Sequence, residues 1–464
     1  MAPKHIRYAA LLALLALAGC SFAPTYERPA LAVPEAWPDD VKATAAPGKP
    51  VDWASFFPDE RLRALIKLAL EHNRDLRIAT ARVAEAQALY GIQRADRLPT
   101  VNVGASLARS RTPADLSSTG AAVIGQRADV NVGLSSFELD FWGRVASLSD
   151  AAKASYLATE QAERSFRLTL VSSVADGYLS LSEAQERLML AQSSLETRAQ
   201  TRELVDRRRQ AGLAGDLDYL QADAAFEGAR AEVAALLRQQ SAARNYLRAL
   251  VGTEPKDLPA GKALAEQGIA LDQQADVPSQ VLVRRPDVLA AEQRLLAANA
   301  NIGAARAAFF PRIALTASAG TASREIEGLF KSGSDAWSFT PSISLPIFDY
   351  GRNSSNLDLA TVRKNIAVAD YERTVQQAFR EVADLLVARD QLAEQLKAVE
   401  AQERSQQRAA DIAQARYRQG VGSFLEVLDA QRQLFTVQQS LIQVRRTMWS
   451  AAAQLYKALG GEEG

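Results

Sequence analysis

Few residues in this chain have the types and spacing that enzyme chemistry requires. The sequence contains two histidines and one cysteine, and its 54 lysines and arginines balance 54 aspartates and glutamates. It has no GxSxG, HExxH, P-loop or GxGxxG motif, and we expect His72 to be a solvated helix residue. The balanced charge argues against a nucleic-acid partner. We therefore predict no catalytic residues, no metal site and no nucleic-acid binding.

Cys20 is the residue with a clear chemical context. A short cationic segment precedes an apolar run over residues 8–18, which is too short to cross a bilayer and is typical of an export signal. The run ends in Leu17-Ala18-Gly19-Cys20, the pattern of a bacterial lipobox. We predict cleavage of the signal peptide 1–19 and a covalent acyl and diacylglycerol lipid on Cys20, with no other cofactor. Ser21 in place of Asp argues against retention in the inner membrane, and the Pro-rich segment 20–58 is predicted to be a tether.

An internal repeat organises the rest of the chain. Shifts of 212 and then 208 residues align the two halves. The aligned pairs are Asp75 with Asp287, Gly91 with Gly303, Pro99 with Pro311, Gly143 with Gly351, Gly212 with Gly420 and Gly252 with Gly460. We therefore predict two copies of one unit, repeat 1 over 59–252 and repeat 2 over 286–460, joined by a connector at 253–285.

Each repeat predicts the same order of elements: a helix, a β-hairpin, a very long helix, a Gly-containing turn and a second helix. The predicted bounds in repeat 1 are 59–97, 100–142, 144–210 and 216–250, and those in repeat 2 are 286–309, 312–350, 352–418 and 424–459. Apolar residues in the long helices follow a 4-3-4-3 spacing, which indicates coiled-coil packing. The segment 144–210 would be about 100 Å long if helical throughout. The period alone also fits a soluble coiled-coil rod.

The strand segments favour a membrane protein over a rod. Four candidates have nearly the length of a tilted membrane strand, alternate in polarity over part of their length, and have aromatic residues near their ends. They are Val101–Arg111, Ala128–Phe141, Ile313–Ser323 and Trp337–Phe348. Lipid does not tolerate an open sheet edge, and four strands cannot close a barrel around a pore. Several subunits must therefore contribute to one barrel.

Specific motifs make the chain resemble a known family. They are Arg284-Arg285-Pro286-Asp287-Val288, then Ala291-Glu292, then Ala298-Asn299-Ala300-Asn301-Ile302-Gly303-Ala304-Ala305-Arg306-Ala307, Phe309-Phe310-Pro311, Phe137-Glu138-Leu139-Asp140-Phe141-Trp142-Gly143-Arg144 and Leu345-Pro346-Ile347-Phe348-Asp349-Tyr350-Gly351-Arg352. With them the chain resembles the outer membrane factors of the NodT/OprM type, in the TolC superfamily. The family usually has Gly where Tyr350 stands, which is a mild departure.

The resemblance implies a mostly α protein with membrane β-structure. It implies a homotrimer with a twelve-stranded transmembrane barrel and a twelve-helix periplasmic tunnel, anchored by lipid in the outer membrane and extending into the periplasm. It also implies an equatorial belt formed by the tether 20–58, the connector 253–285 and the C-terminus. The implied function is the passive exit channel of a tripartite efflux system. The implied partners are a periplasmic adaptor, an inner-membrane pump of the RND type and outer-membrane lipid.

The two helix-to-helix turns supply the candidate site residues. Glycine suits the left-handed position that ends a helix, and Ser423 with Glu426 forms a capping box for the next helix. The resemblance implies that these turns contact the adaptor. The implied contacts are Arg209, Gly212 and Leu213 in the first turn, and Arg418, Gly420, Val421 and Gly422 in the second.

Leu425 and Asp429 are four residues apart and so share a helix face. The resemblance implies that they form the periplasmic gate, with three carboxylates around the pore axis, because Gln221 stands at the equivalent position of repeat 1. Two other functions remain open from the sequence: a type I secretion channel and a lipid-anchored periplasmic coiled-coil scaffold. The substrate is also open among drugs, solvents, metals and lipophilic signals.

Overall fold

In the computed structural model the described residues are 22–30, 33–34, 37, 52–269 and 279–461. Cys20, the predicted signal peptide and parts of the predicted tether and connector lie outside these ranges. The chain divides into two compact units. The strand unit comprises Met1–Ala30, Arg82–Glu160 and Ala290–Glu372, and the helical unit comprises Leu31–Ala81, Gln161–Leu289 and Arg373–Gly464.

Helices α1 (Trp53–Phe56) and α2 (Glu60–His72) precede a series of five elements that occurs twice along the chain. The first series is α3 (Arg74–Ala95), β1 (Val101–Thr112), β2 (Val123–Glu138), α4 (Arg144–Gln210) and α5 (Asp216–Val251). The second is α6 (Pro286–Ala307), β3 (Arg312–Ser323), β4 (Asp335–Ser344), α7 (Arg352–Arg418) and α8 (Phe424–Ala458). Helices α4 and α7 have 67 residues each. Strand β4 ends at Ser344, before Pro346, although the sequence predicted a strand as far as Phe348.

The segment 59–97, predicted as one helix, is interrupted at Asn73. The Asn73 side chain accepts a hydrogen bond from the Leu76 backbone N–H at 2.8 Å and so caps α3. The same side chain donates to the Leu250 carbonyl at 2.8 Å. Gly252, with φ of 75°, lies so close that a Cβ there would be 2.5 Å from the His72 carbonyl oxygen. The interruption therefore joins the end of α2, the start of α3 and the end of α5.

Strands β1 to β4 form one antiparallel sheet in sequence order. Its register places residues of similar polarity in rows across the sheet. Two neighbouring rows are Val103–Val132–Ala319–Trp337, which is apolar, and Asn102–Gly133–Ser318–Ser338, which is small and polar. Because successive residues of a strand point to opposite faces, the sheet has one apolar face and one polar face. The apolar face is exposed in the single chain, with Val103 76% and Trp337 79% exposed.

At each of the two junctions between strand and long helix, an aspartate side chain caps the helix. Asp140 accepts a hydrogen bond from the Ala146 backbone N–H at 2.7 Å, and Asp349 accepts one from that of Asn353 at 3.0 Å. Each carboxylate therefore caps the helix that follows it. Tyr350 has φ of 56°, in the left-handed region where glycine is unstrained. The departure from the family's glycine thus falls at a position whose conformation favours glycine.

The helical unit is built around a buried apolar cluster and one buried carboxylate. The cluster includes Phe56, Phe57, Leu62, Ile66, Val174, Leu179, Leu264, Trp449 and Tyr456. Asp59, which is fully buried, caps α2 through the Arg61 and Leu62 backbone N–H groups. Its other oxygen accepts from the Tyr178 hydroxyl at 2.7 Å and from the Lys262 N–H at 3.0 Å. This carboxylate therefore ties the described part of the connector to α2 and α4.

Candidate functional site

The turns after α4 and α7 have the same backbone conformation. In the first, Gly212 has φ of 73°, its N–H bonds the Arg209 carbonyl at 2.9 Å, and the Leu213 N–H bonds that of Arg208 at 2.8 Å. In the second, Gly420 has φ of 76° and the Gly420 and Val421 N–H groups make the equivalent bonds. This is the Schellman pattern that ends a helix at a left-handed residue.

Apolar side chains are exposed at both turns. Leu213 is 70% and Val421 66% exposed, although this position of a Schellman turn commonly packs against the helix it follows. The residue that each would meet there is an arginine, Arg208 or Arg416. Leu217 in α5 and Leu425 in α8 add further exposed apolar surface at the helix starts. The single chain therefore presents a group of leucine and valine side chains at the turns.

An arginine lies near each of these turns, and the one at the first turn is held in a defined position by ion pairs. Arg209 pairs with Asp206 at 2.9 Å and with Asp216 at 3.1 Å, and its guanidinium lies 4.6 Å from the centre of the Tyr219 ring. Hydrogen bonds to the two aspartates raise the pKa of Arg209. Arg418 is exposed at the end of α7. The turn after α4 thus holds an arginine in a fixed position, paired with two carboxylates, next to exposed leucines.

A small apolar cluster packs between the helix ends that flank the two turns. It contains Val205, Ala222, Tyr417, Phe424 and Val427, from the ends of α4 and α7 and the starts of α5 and α8. The Arg208 guanidinium lies 4.7 Å from the Tyr417 ring centre and donates to the Tyr417 carbonyl at 3.3 Å. Burial raises the pKa of the Tyr417 phenol. The cluster holds the four helix ends together, while the turn residues themselves remain exposed.

Ser423 caps α8 with its side chain. It accepts a hydrogen bond from the Glu426 backbone N–H at 3.2 Å, as the capping box predicts. Gly215, the equivalent residue at the start of α5, makes no side-chain cap. The second turn is therefore more tightly specified by its sequence than the first.

Leu425 and Asp429 lie on the first turns of α8. Leu425 is 63% exposed, and the Asp429 carboxylate accepts hydrogen bonds from Arg432 at 2.7 Å and Gln433 at 2.6 Å. Our prediction of a ring of carboxylates did not include Arg432. This ion pair could have been predicted from the sequence, because residues three apart on a helix are neighbours. Each Asp429 therefore brings its own cation, and any ring of these residues contains both charges.

The sequence matches the family model described as "Outer membrane efflux protein" over residues 65–253 and 277–461. The chain belongs to the outer membrane efflux protein family. The match covers both repeats, and the resemblance to the outer membrane factors of the TolC superfamily is confirmed.

Individual relatives support the same assignment. The chain is 46% identical over 454 residues to the outer membrane protein OprJ of Pseudomonas aeruginosa, covering 97% of this chain and 95% of that protein. It is 44% identical over 465 residues to the toluene efflux pump outer membrane protein TtgF of Pseudomonas putida, covering 98% and 96%. The open state of the MtrE outer membrane channel of Neisseria gonorrhoeae matches the structure with a TM-score of 0.86 at 39% identity, covering 95% and 98%.

Membership of this family establishes the general function. The protein is an outer membrane efflux channel and is not an enzyme. Among the described residues, no group of three or more His, Cys, Asp and Glu side chains is placed to hold a metal ion. In the same part of the chain, none of the helices combines the length and apolarity needed to traverse a bilayer.

Proposed function

We propose that three copies of this protein form the outer-membrane exit duct of a tripartite efflux system. The observation that carries the proposal is the sheet. Strands β1 and β4 each pair on one side only within the described sheet, so both outer edges are left with unpaired backbone groups. In lipid such edges are satisfied only by closure into a barrel. Three copies contribute twelve strands, enough to enclose a water-filled pore.

The two faces of the sheet support the same proposal. A barrel in a membrane needs an apolar outer face and a polar inner face. The apolar row at Val103 and the polar row at Asn102 extend across all four strands, and both rows come from two repeats. The apolar face would therefore continue around the whole barrel, without a polar gap at any strand of a copy.

The exposed turns are proposed to dock the periplasmic adaptor. Their apolar side chains, Leu213 and Val421, lie beside the paired Arg209 and the exposed Arg418, so they offer both a hydrophobic contact and a charge that fixes its register. Gly212 and Gly420 have open space around them and keep the backbone of the turns accessible, whereas Gly422 lies against Arg416 at the end of α7. In this scheme the inner-membrane pump, of the RND type, supplies the energy and the duct conducts passively.

The cargo is proposed to be small lipophilic compounds. Several relatives with 42–44% identity have names that refer to efflux of toluene, solvents or antibiotics. We also propose that acyl chains on Cys20 anchor the duct in the outer membrane. Mass spectrometry of the N-terminal peptide tests that modification directly.

Leu425 and Asp429 are proposed to form the resting gate. Around a three-fold axis, three leucines would narrow the pore and three Asp429–Arg432 pairs would line it. Opening the duct would require the three copies to move apart at this level, and a ring of paired charges repels itself less than a ring of carboxylates alone would. The gate we propose is therefore an ion-pair ring next to a leucine ring.

Single-channel recording in planar bilayers tests the duct and the gate together. The purified protein should migrate as a trimer and conduct poorly at rest. Replacing Leu425→Ala and Asp429→Ala should raise the conductance roughly twofold or more, because the narrowest ring is lost. Gln221→Ala, at the equivalent position of repeat 1, is the matched control and should leave conductance unchanged. A monomeric protein that passes no ions would refute the duct, whereas a normal trimer unaffected by the double substitution would refute only the gate.

A further inference from the structure

One motif of the sequence has no role in the channel described so far. Glu292, Asn299, Gly303 and Arg306 are spaced by seven, four and three residues, so they lie along one face of α6. Residues 22–28 of the chain's own N-terminal segment lie along this face. Both belong to the strand unit. We call residues 22–28 the strap and the four α6 residues its track.

The strongest contact is at Glu292, which is only 7% exposed. Its carboxylate accepts hydrogen bonds from the Tyr26 hydroxyl at 2.9 Å and from Arg28 at 2.7 and 2.8 Å. Burial and the hydrogen bond to Glu292 raise the pKa of Tyr26 far above its usual range. A buried carboxylate with a bidentate arginine partner is costly to leave unpaired. Glu292 therefore holds one end of the strap.

The rest of the track contacts the strap backbone. Asn299 donates to the Pro24 carbonyl at 2.7 Å, and Arg306 donates to the Phe22 carbonyl at 3.2 Å. At Gly303 the strap lies so close that a Cβ would be 2.7 Å from the Ala23 backbone nitrogen. These contacts are made to main-chain atoms of the strap and not to its side chains. They therefore fix the register of the strap along α6.

The other end of the strap lies among aromatic rings. Phe22 stacks on Phe310 with ring centres 4.6 Å apart, and Phe310 stacks on Trp142 at 5.0 Å. The Trp142 indole N–H is held by the Pro311 carbonyl at 2.8 Å. Aromatic clusters of this kind are preferred at the boundary between lipid headgroups and water. Cys20 is two residues before Phe22, so the covalent chain can carry it no more than about 7 Å from Phe22.

We propose that the track on α6 is a receptor for the strap, and that this docking holds the acylated Cys20 beside the aromatic cluster. The inference rests on the proposed lipid at Cys20 for its purpose, but the docking itself does not depend on the lipid. By this device the acyl chains and the ends of the strands enter the membrane at one level. The lipid anchor is then held at a fixed position on the barrel instead of at the end of a flexible tether.

Helix α3 offers a natural comparison, because it is the counterpart of α6 in repeat 1. The shift of 212 residues places Thr80 at the position of Glu292 and Gln87 at that of Asn299, while Gly91 and Arg94 match Gly303 and Arg306. A Cβ on Gly91 would meet no described atom within 4 Å. The carboxylate that holds the strap is thus specific to α6.

Thiol labelling in isolated outer membranes tests the docking. Ala23→Cys should react slowly with a maleimide, because Ala23 lies against Gly303, whereas exposed Thr25→Cys should react quickly in every background. Glu292→Ala should accelerate labelling at position 23 roughly tenfold or more, since a buried charge-assisted contact is lost. Thr80→Ala is the matched control and should change neither rate. The charge exchange Arg28→Glu with Glu292→Arg should restore slow labelling.

Two results would overturn the proposal: equal labelling of positions 23 and 25 in the otherwise unaltered protein, or no acceleration with Glu292→Ala. If Glu292→Ala fails to assemble, Arg28→Ala supplies the same readout, because the Arg28 side chain is half exposed and outside α6. Peptide mass spectrometry locates each label. Label on Cys20 itself would show a free thiol and refute the lipid anchor while leaving the docking result intact.

Discussion

Asp59 shows how a single buried carboxylate can organise several segments. Burial by itself raises the pKa of this group, but hydrogen bonds from the Lys262 N–H, Tyr178 and Gln267 outweigh that effect and lower the pKa overall. A carboxyl whose pKa is lower in the folded state stabilises that state when ionised. Its contribution is complete above the unfolded pKa of about 3.9 and is lost as the pH falls through the lower folded value.

Replacing Asp59→Asn should therefore lower the free energy of unfolding by about 3 kcal/mol at neutral pH, since hydrogen bonds to a charged group are lost. The difference from the unaltered protein should shrink steadily below about pH 4. Thermal denaturation followed by circular dichroism at several pH values measures both effects. Asp115→Asn, in the exposed loop between β1 and β2, is the control. A pH-independent difference would contradict the assigned ionisation.

The candidate gate illustrates what the sequence reveals about single residues. The spacing of Leu425 and Asp429 places them on one face, and the ion pair with Arg432 was equally legible from its spacing. By contrast, the contacts of Tyr26 and Arg28 with Glu292 span more than 260 residues of sequence. Local helical geometry can be inferred from one sequence, whereas a buried partner that distant cannot.

At the level of elements, the junction at Asn73 and Gly252 joins three helices through a side-chain hydrogen bond and a close backbone approach. Gly252 is required there for two reasons: its positive φ and the closeness of the His72 carbonyl oxygen. Gly212 has nearly the same φ but open space around its Cα. Substituting each of the two glycines therefore distinguishes the cost of the positive φ from the cost of steric overlap.

Gly212→Ala should cost about 1 kcal/mol, the strain of a left-handed alanine. Gly252→Ala should cost about 1–3 kcal/mol more, because its methyl group would overlap the His72 carbonyl and push α2 away from α5. Thermal unfolding of the two variants in the same detergent gives the comparison. Equal losses would show that the junction relaxes freely and is not a tight contact.

The boundaries of the elements follow the sequence where backbone chemistry sets them. Helices α4 and α7 extend between the Gly-Arg pairs and the glycine turns, and β4 includes Pro341, which an edge strand tolerates. The interruption at Asn73 was missed because the apolar pattern continues through it. Its cap is local, but the bond from Asn73 to the Leu250 carbonyl, which fixes the bend, spans 177 residues.

At the scale of the whole molecule, the rows of the sheet make the barrel testable. Val103 and Asn102 are neighbours on the same edge strand but belong to opposite faces. Val103→Arg should place a cation against lipid, at a cost of about 2–4 kcal/mol per copy near the bilayer centre. Asn102→Arg should face water inside the pore. We expect the first variant to lose the heat-modifiable trimer from outer membranes and the second to retain it. Equal assembly of both would contradict the proposed orientation of the sheet.

The duplicated architecture was readable from the sequence because glycines, prolines and capping residues recur at fixed shifts. The family assignment followed from motifs that the structure places at the capped junctions and on α6. The number of copies in a barrel is a different kind of property. It depends on how two sheet edges meet in lipid, and a single chain contains only one edge of each kind.

The backbone structure of the turns after α4 and α7 has a consequence for evolution. Each turn is formed by main-chain hydrogen bonds and a left-handed glycine. The side chains of Leu213, Val421 and Arg418 are therefore not needed to maintain its conformation. Selection can rewrite these side chains while the hairpin geometry persists. If they recognise the adaptor as proposed, exchanging two short loops between relatives would swap assembly partners, and a cell with several pumps could diversify its complexes from one scaffold.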